Sequence, residues 1–212
     1  MSVTDRKTTM IKKLFLISLV IVMAVGAVAI GRYPRARRKS IVLLGNPADA
    51  NKVISLADIK SDVLIPAGNA PAAPSFAAGN WINSGPLTLE KLRGRVVLVE
   101  FWTFGCYNCR NTLPSVKAWE TRYRDRGLTV VGVHTPETDG EYAIDNVRRE
   151  VPALGIKYPV VTDNDYATWK AYNVEAWPTI FVLDKQGRIR WRHVGEGRYE
   201  ETEGVIKILL AE

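Results

Sequence analysis

Hydrophobic and polar positions divide the chain into three parts. Residues 14–30 are seventeen consecutive positions without a charged side chain, and as a helix they would span about 25 Å. Short apolar runs and an Ala-, Pro- and Gly-rich stretch occupy residues 40–79. Regular alternation of apolar and polar segments then continues to residue 212. The pattern predicts a membrane anchor with basic flanks over residues 1–39, a linker over 40–79 that is partly structured at most, and a folded domain over 80–212.

The folded part alternates strand patterns with helix patterns. A short helical patch is predicted at residues 90–93, strands at 96–102, 128–133, 159–161, 179–183 and 188–194, and helices at 109–126, 141–154, 166–172 and 199–210. Strands that alternate with helices and end in a hairpin predict an α/β fold, with a mixed central sheet and helices on both faces.

The apolar segment has two interpretations. Lys13 and Arg32 flank residues 14–30, which fits a single-pass helix whose basic flanks reach the lipid headgroups. The alternative is a cleaved signal peptide, because residues 27–29 (AVA) resemble a cleavage site. The length of the segment favours a retained anchor.

The orientation of the anchor does not follow from charge. Four Lys or Arg precede the apolar segment and five follow it before residue 40, so the positive-inside rule mildly favours a cytoplasmic C-terminal domain. We expect instead that the domain lies on the extracytoplasmic side. A domain in the cytoplasm would gain little from an anchor, whereas an anchor keeps the domain in place on the side that diffusible cytosolic molecules do not reach.

The net charge of +7 does not indicate nucleic-acid binding. Nine of the 29 Lys and Arg and only one of the 22 acidic residues lie in residues 1–39, which leaves 20 basic and 21 acidic residues beyond them. The folded part is almost neutral, and no basic patch remains for a phosphate backbone.

The two cysteines of the chain, Cys106 and Cys109, carry the clearest chemistry. They follow an apolar strand and open a helix, where the positive end of the helix dipole stabilises a thiolate on Cys106. Cys109 lies one turn further on and is placed to attack a mixed disulfide. A zinc site would need four ligands, but only His134 and His193 remain as further candidates, and His193 fits a half-exposed strand position. The spacing therefore predicts a redox pair.

Three further residues are candidates for the same site. Glu100 is an acid inside an apolar strand, so we expect a raised pKa and a role in passing protons to Cys109, with pairing to a Lys or Arg as the alternative. Pro178 precedes a strand, which predicts either a cis bond opposite Cys106 or a simple entry into the strand. His134 follows a strand, and we expect it either to border the cysteines or to cap the loop.

Four separated segments, in order, carry a family resemblance: VVLVEFWTFGCYNCRNTLP, VVGVHTPE, YPVVTDNDYATWKAY and AWPTIFVLDKQGRIRWRHVGEG. From about residue 81 to 212 the chain resembles the thioredoxin-like domain of DipZ-type proteins, within the TlpA/ResA group. The resemblance implies a thioredoxin-like fold and extracytoplasmic disulfide exchange, often on apocytochrome thiols as in cytochrome c maturation, with electrons from a CcdA-like membrane partner. It implies protein thiols as substrates and no cofactor beyond the Cys106–Cys109 disulfide.

The resemblance also assigns roles by position. Cys106 resembles the attacking cysteine, Cys109 the resolving cysteine, and Glu100 the buried acid. We expect the following residues to contact substrate: Pro178, Trp177, Trp102, Tyr107, Asn108 and His134.

This chain departs from the family pattern in three ways. DipZ proteins fuse the domain to a multi-helix transporter, whereas this chain has one predicted segment. The dipeptide Tyr107-Asn108 is neither the Gly-Pro of thioredoxin nor the Pro-His of DsbA, and Glu100 is one methylene longer than the usual Asp. An oxidase or isomerase therefore stays open as an alternative, as does a copper chaperone with His134 as a ligand. We expect a monomer.

Overall fold

A computed structural model describes residues 53–212. The predicted anchor at residues 1–39 and the first part of the predicted linker lie outside these residues. No helix within residues 53–212 has the length and apolar character needed to cross a membrane.

Residues 53–212 form six strands and four α-helices. The strands are β1 (Trp81–Ile82), β2 (Val96–Trp102), β3 (Leu128–His134), β4 (Val160–Thr162), β5 (Thr179–Leu183) and β6 (Ile189–Val194). The helices are α1 (Tyr107–Tyr123), α2 (Ile144–Ala153), α3 (Ala167–Ala171) and α4 (Tyr199–Ala211). The elements from β2 onward match the predicted order, whereas β1 was not predicted as a strand. Residues 90–93 differ, because they form hydrogen-bonded turns and not a helix.

The strands form one mixed sheet in the order β1-β4-β3-β2-β5-β6. β2, β3 and β4 are parallel, whereas β1, β5 and β6 join the sheet in antiparallel pairs. All seven residues of β2 are buried, as its continuous apolar pattern predicts. The parallel pairing brings the carboxyl ends of β2 and β3 to one edge of the sheet, with Trp102 beside His134.

Helices cover both faces of the sheet, which confirms the predicted layering. One buried cluster packs α1, α2 and α4 against β2 and β3, and its members include Val116, Val151 and Ile206. The other cluster packs the region of α3 against the opposite face, around Phe101 and Tyr172. The two continuous apolar layers account for the stability of the sheet.

Residues 53–79 belong to the folded unit, so the prediction of a linker is wrong for this part of 40–79. Ile59 and Ile65 are buried against the sheet. The backbone N–H of Ile65 donates to Arg190 O over 2.9 Å, and Ala72 bridges to Arg188. The short apolar runs of this segment cover the β6 edge, which would otherwise expose unpaired backbone groups.

His193 on β6 also differs from its prediction as a half-exposed residue. Its side chain is buried, and its Nδ1 lies 2.7 Å from Asp62 Oδ1. The segment before the predicted domain boundary supplies this partner. The burial of His193 is therefore a consequence of the packing of residues 53–79.

Candidate active site

Cys106 lies between β2 and α1, at the position that caps the helix. Four residues after the end of β2, the chain takes extended dihedral angles at Cys106 and then enters α1. The Sγ atom of Cys106 accepts a hydrogen bond from the backbone N–H of Cys109 over 3.2 Å. Its side chain is partly exposed. Cys106 thus combines access to solvent with an N–H donor that stabilises a thiolate.

Cys109 lies in the first turn of α1 and is completely buried, with 0% of its surface exposed. Burial raises the pKa of the Cys109 thiol, and the nearby Cys106 and Glu100 raise it further. A thiol in this position keeps its proton at neutral pH. Cys109 therefore needs a base close by before it can act as a nucleophile.

Glu100 of β2 supplies a carboxylate on the face of the sheet against which α1 packs. It is 0% exposed, and burial outweighs the hydrogen bond from Tyr158 to raise its pKa from 4.5 to about 7. Its Oε2 accepts a hydrogen bond from the Tyr158 hydroxyl over 3.0 Å, whereas Oε1 has no hydrogen-bond partner within the described residues. The raised pKa agrees with the first part of the prediction, whereas the role in passing protons to Cys109 stays a prediction. The partner is a tyrosine and not the Lys or Arg of the alternative.

Pro178 enters the site from β5. The Trp177–Pro178 peptide bond is cis, as predicted. Because Thr179 pairs with Phe101, the register places Pro178 at the edge of the sheet where β2 ends. The Trp177 indole is partly exposed and donates from Nε1 to Thr135 O over 3.0 Å. The structure therefore brings Pro178 and Trp177 to the same edge as the cysteines.

Trp177, Trp169 and Tyr166 form a continuous aromatic surface, here called the aromatic wall. The rings of Trp169 and Trp177 lie 4.2 Å apart between centroids, and Tyr166 packs edge-on to both. All three side chains are partly exposed. Such a surface suits contact with apolar parts of a protein substrate.

The predicted substrate contacts divide into exposed and buried residues. Tyr107 is 75% exposed, and Asn108 is also exposed. Trp102 and His134 are both completely buried and pack edge-on against each other. The prediction that these two side chains contact substrate is wrong for this structure, because neither side chain has exposed surface: Trp102 lies in the core cluster, and His134 is enclosed by Trp102 and Phe104.

His134 is enclosed by its neighbours. Burial lowers the pKa of His134 to about 4, although the charge of Glu141 opposes this effect, so the imidazole is neutral at pH 7. Its Nε2 lies 3.1 Å from Thr103 Oγ1, and its ring stacks on Phe104. Within residues 53–212, no group of three or more His, Cys, Asp or Glu side chains is arranged to hold a metal ion.

Glu141 is a site residue that the sequence pattern did not single out. Its buried carboxylate accepts backbone N–H bonds from Gly105 over 2.8 Å, Glu137 over 2.6 Å and Thr138 over 2.9 Å. Burial acts to raise the pKa of Glu141, but these donors and the Thr103 hydroxyl lower it overall. Glu141 thus ties the loop before Cys106 to the loop after β3.

A local signal for Glu141 is present in the sequence. Thr138 and Glu141 have the spacing of a capping box, and both of its reciprocal hydrogen bonds form here. The signal indicates a helical turn. It gives no information about the contact with Gly105, which depends on how the two loops pack.

Comparison with known proteins agrees with this arrangement. The model of the AhpC/TSA family matches residues 70–192. The chain is 43% identical to the protein DipZ of Mycobacterium tuberculosis over 133 residues. The aligned residues make up 61% of this chain and 19% of DipZ. The chain is 30% identical to the thiol-disulfide oxidoreductase YkuV of Bacillus subtilis over 62% of this chain and 88% of YkuV. The chain thus spans about a fifth of the DipZ length but most of YkuV.

A solved structure shows the same fold. The solution structure of a thioredoxin-like protein in the oxidized form superposes with a TM-score of 0.60 at 28% sequence identity, over 67% of this chain and 95% of that protein. The thioredoxin-like fold and the resemblance to DipZ-type proteins are therefore confirmed. The family match begins at residue 70, inside the segment predicted as a linker.

Proposed function

We propose, from the premise that this chain belongs to the AhpC/TSA family, that it is a membrane-anchored thiol-disulfide oxidoreductase that reduces disulfides in exported proteins. Its kinship with YkuV supports the class of reaction. The observation that carries the proposal is the pairing of a partly exposed Cys106, capping α1, with a buried Cys109 one turn behind it.

The first step is attack on the substrate. The Cys106 thiolate, stabilised by the N–H of Cys109, attacks one sulfur of a substrate disulfide. The substrate S–S bond breaks, a Cys106–substrate mixed disulfide forms, and the released substrate sulfur leaves as a thiolate that takes up a proton.

The second step releases the substrate. Ionised Glu100 takes the proton of Cys109 by way of a bridging water, and the Cys109 sulfur attacks that of Cys106. The Cys106–substrate bond breaks as the Cys106–Cys109 disulfide forms, and the second substrate sulfur leaves as a thiolate. Two electrons pass to the substrate, and the two cysteines are oxidised. The pKa of Glu100 at about 7 suits a group that accepts and returns a proton near neutral pH.

The surface around Cys106 fits a protein substrate. Tyr107 and Asn108 directly follow Cys106 and are exposed, and Trp177 with the aromatic wall precedes Pro178 at the edge of the sheet where β2 ends. We propose that an extended substrate segment lies between these groups and beside Pro178. Aromatic side chains provide large contact area with little loss of conformational entropy.

The location and the partners are part of the proposal. Residues 14–30 would hold the domain at the outer face of the cell membrane, where it acts as a monomer on exported proteins, for example in cytochrome c maturation. A CcdA-like membrane protein would return electrons to the Cys106–Cys109 disulfide, and no other cofactor is required. A C-terminal alkaline phosphatase fusion, active only outside the cytoplasm, tests the orientation; an inactive fusion that is fully expressed contradicts it.

The chemistry is tested by mixing the reduced full-length chain with a peptide that contains one disulfide. The wild type should reduce the peptide, Cys106→Ser should not react, and Cys109→Ser should stop at a mixed disulfide detected by its mass. If the oxidised chain oxidises the peptide dithiol faster than the reduced chain reduces the disulfide, the oxidase alternative replaces the proposed direction.

A further inference from the structure

We propose that Tyr158 is a positioning residue that controls when Glu100 can accept the proton of Cys109. The inference rests on the proposed function, since it concerns the second step of the disulfide exchange. Tyr158 is not among the site residues that the sequence pattern indicated.

The contact between the two side chains is isolated from solvent. Tyr158 and Glu100 are both buried, and the Tyr158 hydroxyl is the hydrogen-bond donor found for Oε2 among the described residues. A donor stabilises the ionised carboxylate more than the protonated acid, and the effect is large where water is excluded. Without the Tyr158 hydroxyl, Glu100 would hold its proton to a higher pH.

The second oxygen of Glu100 is left available. Oε1 is buried and has no hydrogen-bond partner in the described part of the chain. Because Tyr158 occupies Oε2, the carboxylate is held with Oε1 as its open acceptor. Leu98 and Trp102, which flank Glu100 on the same face of β2, belong to the buried cluster that also contains Cys109 and Tyr158, so Glu100 and the Cys109 thiol lie in one region of the core. We infer that Oε1 receives the proton.

Gly132 makes room for this arrangement. It is the β3 neighbour of Glu100, and a Cβ at residue 132 would lie 3.3 Å from Tyr158 Cε2 and 2.8 Å from Trp102 Nε1. The absence of a side chain there lets the Tyr158 ring approach Glu100 across β3. A larger residue would move the ring away.

Few other ionisable groups face Glu100. Glu100 interacts electrostatically with Cys109 of α1 and with Tyr158 of the loop before β4. Glu120 of α1 influences Tyr158 in the same way. The neighbours on β3 and β5, Gly132 and Ile180, do not titrate. The ionisation of Glu100 therefore depends mainly on its burial and on Tyr158.

The test measures the second step alone. The full-length chain is loaded at Cys106 with 2-nitro-5-thiobenzoate, a coloured thiol that is released when Cys109 attacks. The release rate of the wild type should rise with pH through an inflection near 7, where Glu100 ionises. In Tyr158→Phe the inflection should move up by about one pH unit, because a hydrogen bond to a charged group changes an ionisation equilibrium about tenfold or more. Release should be about tenfold slower at pH 6 and unchanged at pH 9.

Two controls separate a positioning role from a structural one. Tyr172→Phe makes the same substitution at a buried tyrosine on the other face of the sheet, whose hydroxyl has no hydrogen-bond partner within residues 53–212, so its pH profile should equal that of the wild type. Glu100→Gln should remove the inflection, and adding Tyr158→Phe to it should cause no further change. The carboxyl carbon resonance of Glu100, followed by NMR against pH, should show the same upward shift in Tyr158→Phe.

Three outcomes would overturn the inference. The first is a Tyr158→Phe profile identical to that of the wild type, and the second is an equal loss of rate when the substitution is made in Glu100→Gln. The third is a wild type that releases no reporter although Cys106 is fully loaded. Only this third result would also overturn the proposed function.

Discussion

Replacing Glu100 by Gln should change how the stability of the protein depends on pH. In the unfolded chain Glu100 ionises near its usual pKa of 4.5, whereas in the folded protein burial holds the proton until about pH 7. Between these values the unfolded state releases a proton that the folded state keeps, so the wild type loses stability as the pH rises. Each pH unit is worth about 1.4 kcal/mol, which gives a loss of about 3 kcal/mol by pH 8.

Glu100→Gln lacks this loss because an amide does not titrate. In the variant, the amide N–H₂ group is buried where Oε1 has no hydrogen-bond partner among the described residues. This unsatisfied donor lowers the free energy of unfolding by an amount that does not depend on pH. The free energy of unfolding of the variant, relative to the wild type, should therefore rise by about 3 kcal/mol between pH 4 and pH 8. Other titrating groups cancel in the comparison.

Urea unfolding of the reduced full-length chain at several pH values measures this difference. Glu200→Gln, an exposed carboxylate on α4, controls for the loss of one negative charge. A difference between Glu100→Gln and the wild type that stays constant from pH 4 to pH 8 would refute the reasoning, since it would mean that Glu100 ionises alike in the folded and unfolded chains.

Three further substitutions test other parts of the structure by their free energies of unfolding. Glu141→Ala should destabilise the protein by about 3 kcal/mol at pH 7, because it removes the charged acceptor of three backbone N–H groups, and the loss should shrink at low pH as the wild-type carboxylate protonates. An equal loss at all pH values would contradict this role. Gly132→Ala should cost about 1–3 kcal/mol through overpacking, whereas Gly140→Ala, whose Cβ would meet open space, should be neutral; equal effects would refute the close packing. Ile65→Ala should cost about 3 kcal/mol and Val53→Ala, which is 61% exposed, almost nothing; a neutral Ile65→Ala would restore the linker interpretation.

The part of the fold nearest the cysteines could be predicted because its signals are local. A continuous apolar strand, two cysteines three positions apart and a helix pattern follow one another within residues 96–126, so their order fixes where Cys106 lies. The raised pKa of Glu100 also follows from its place within an apolar strand. The parallel pairing that joins β2 to β3 follows from the helix between them.

Contacts between distant segments could not be predicted in the same way. Tyr158 reaches Glu100 from 58 positions away, and Glu141 reaches Gly105 from 36 positions away. Nothing in the local pattern of Tyr158 marks it as different from another core aromatic residue. The burial of Trp102 likewise depends on distant segments, because Trp102 belongs to the cluster in which α1, α2 and α4 pack against the sheet.

Residues 53–79 show how composition can mislead. Ala, Pro and Gly are frequent in flexible linkers, but here they give a segment that crosses the sheet edge without forming a long strand. Ile59 and Ile65 are too few to produce a periodic pattern, although each is buried. Their packing requires the β6 edge, which lies more than a hundred positions further along the chain.

The central claim is that Cys106 and Cys109 form a reducing dithiol, and an equilibrium redox titration of the full-length chain against dithiothreitol tests it most directly. Mass detection of the two thiols, with Cys106→Ser as the control, should give a single two-electron transition near the reducing end of the range of about −270 to −120 mV that dithiol proteins cover. A transition near the oxidising end would contradict the proposed direction of electron flow. The absence of any two-electron transition would contradict the oxidoreductase function itself.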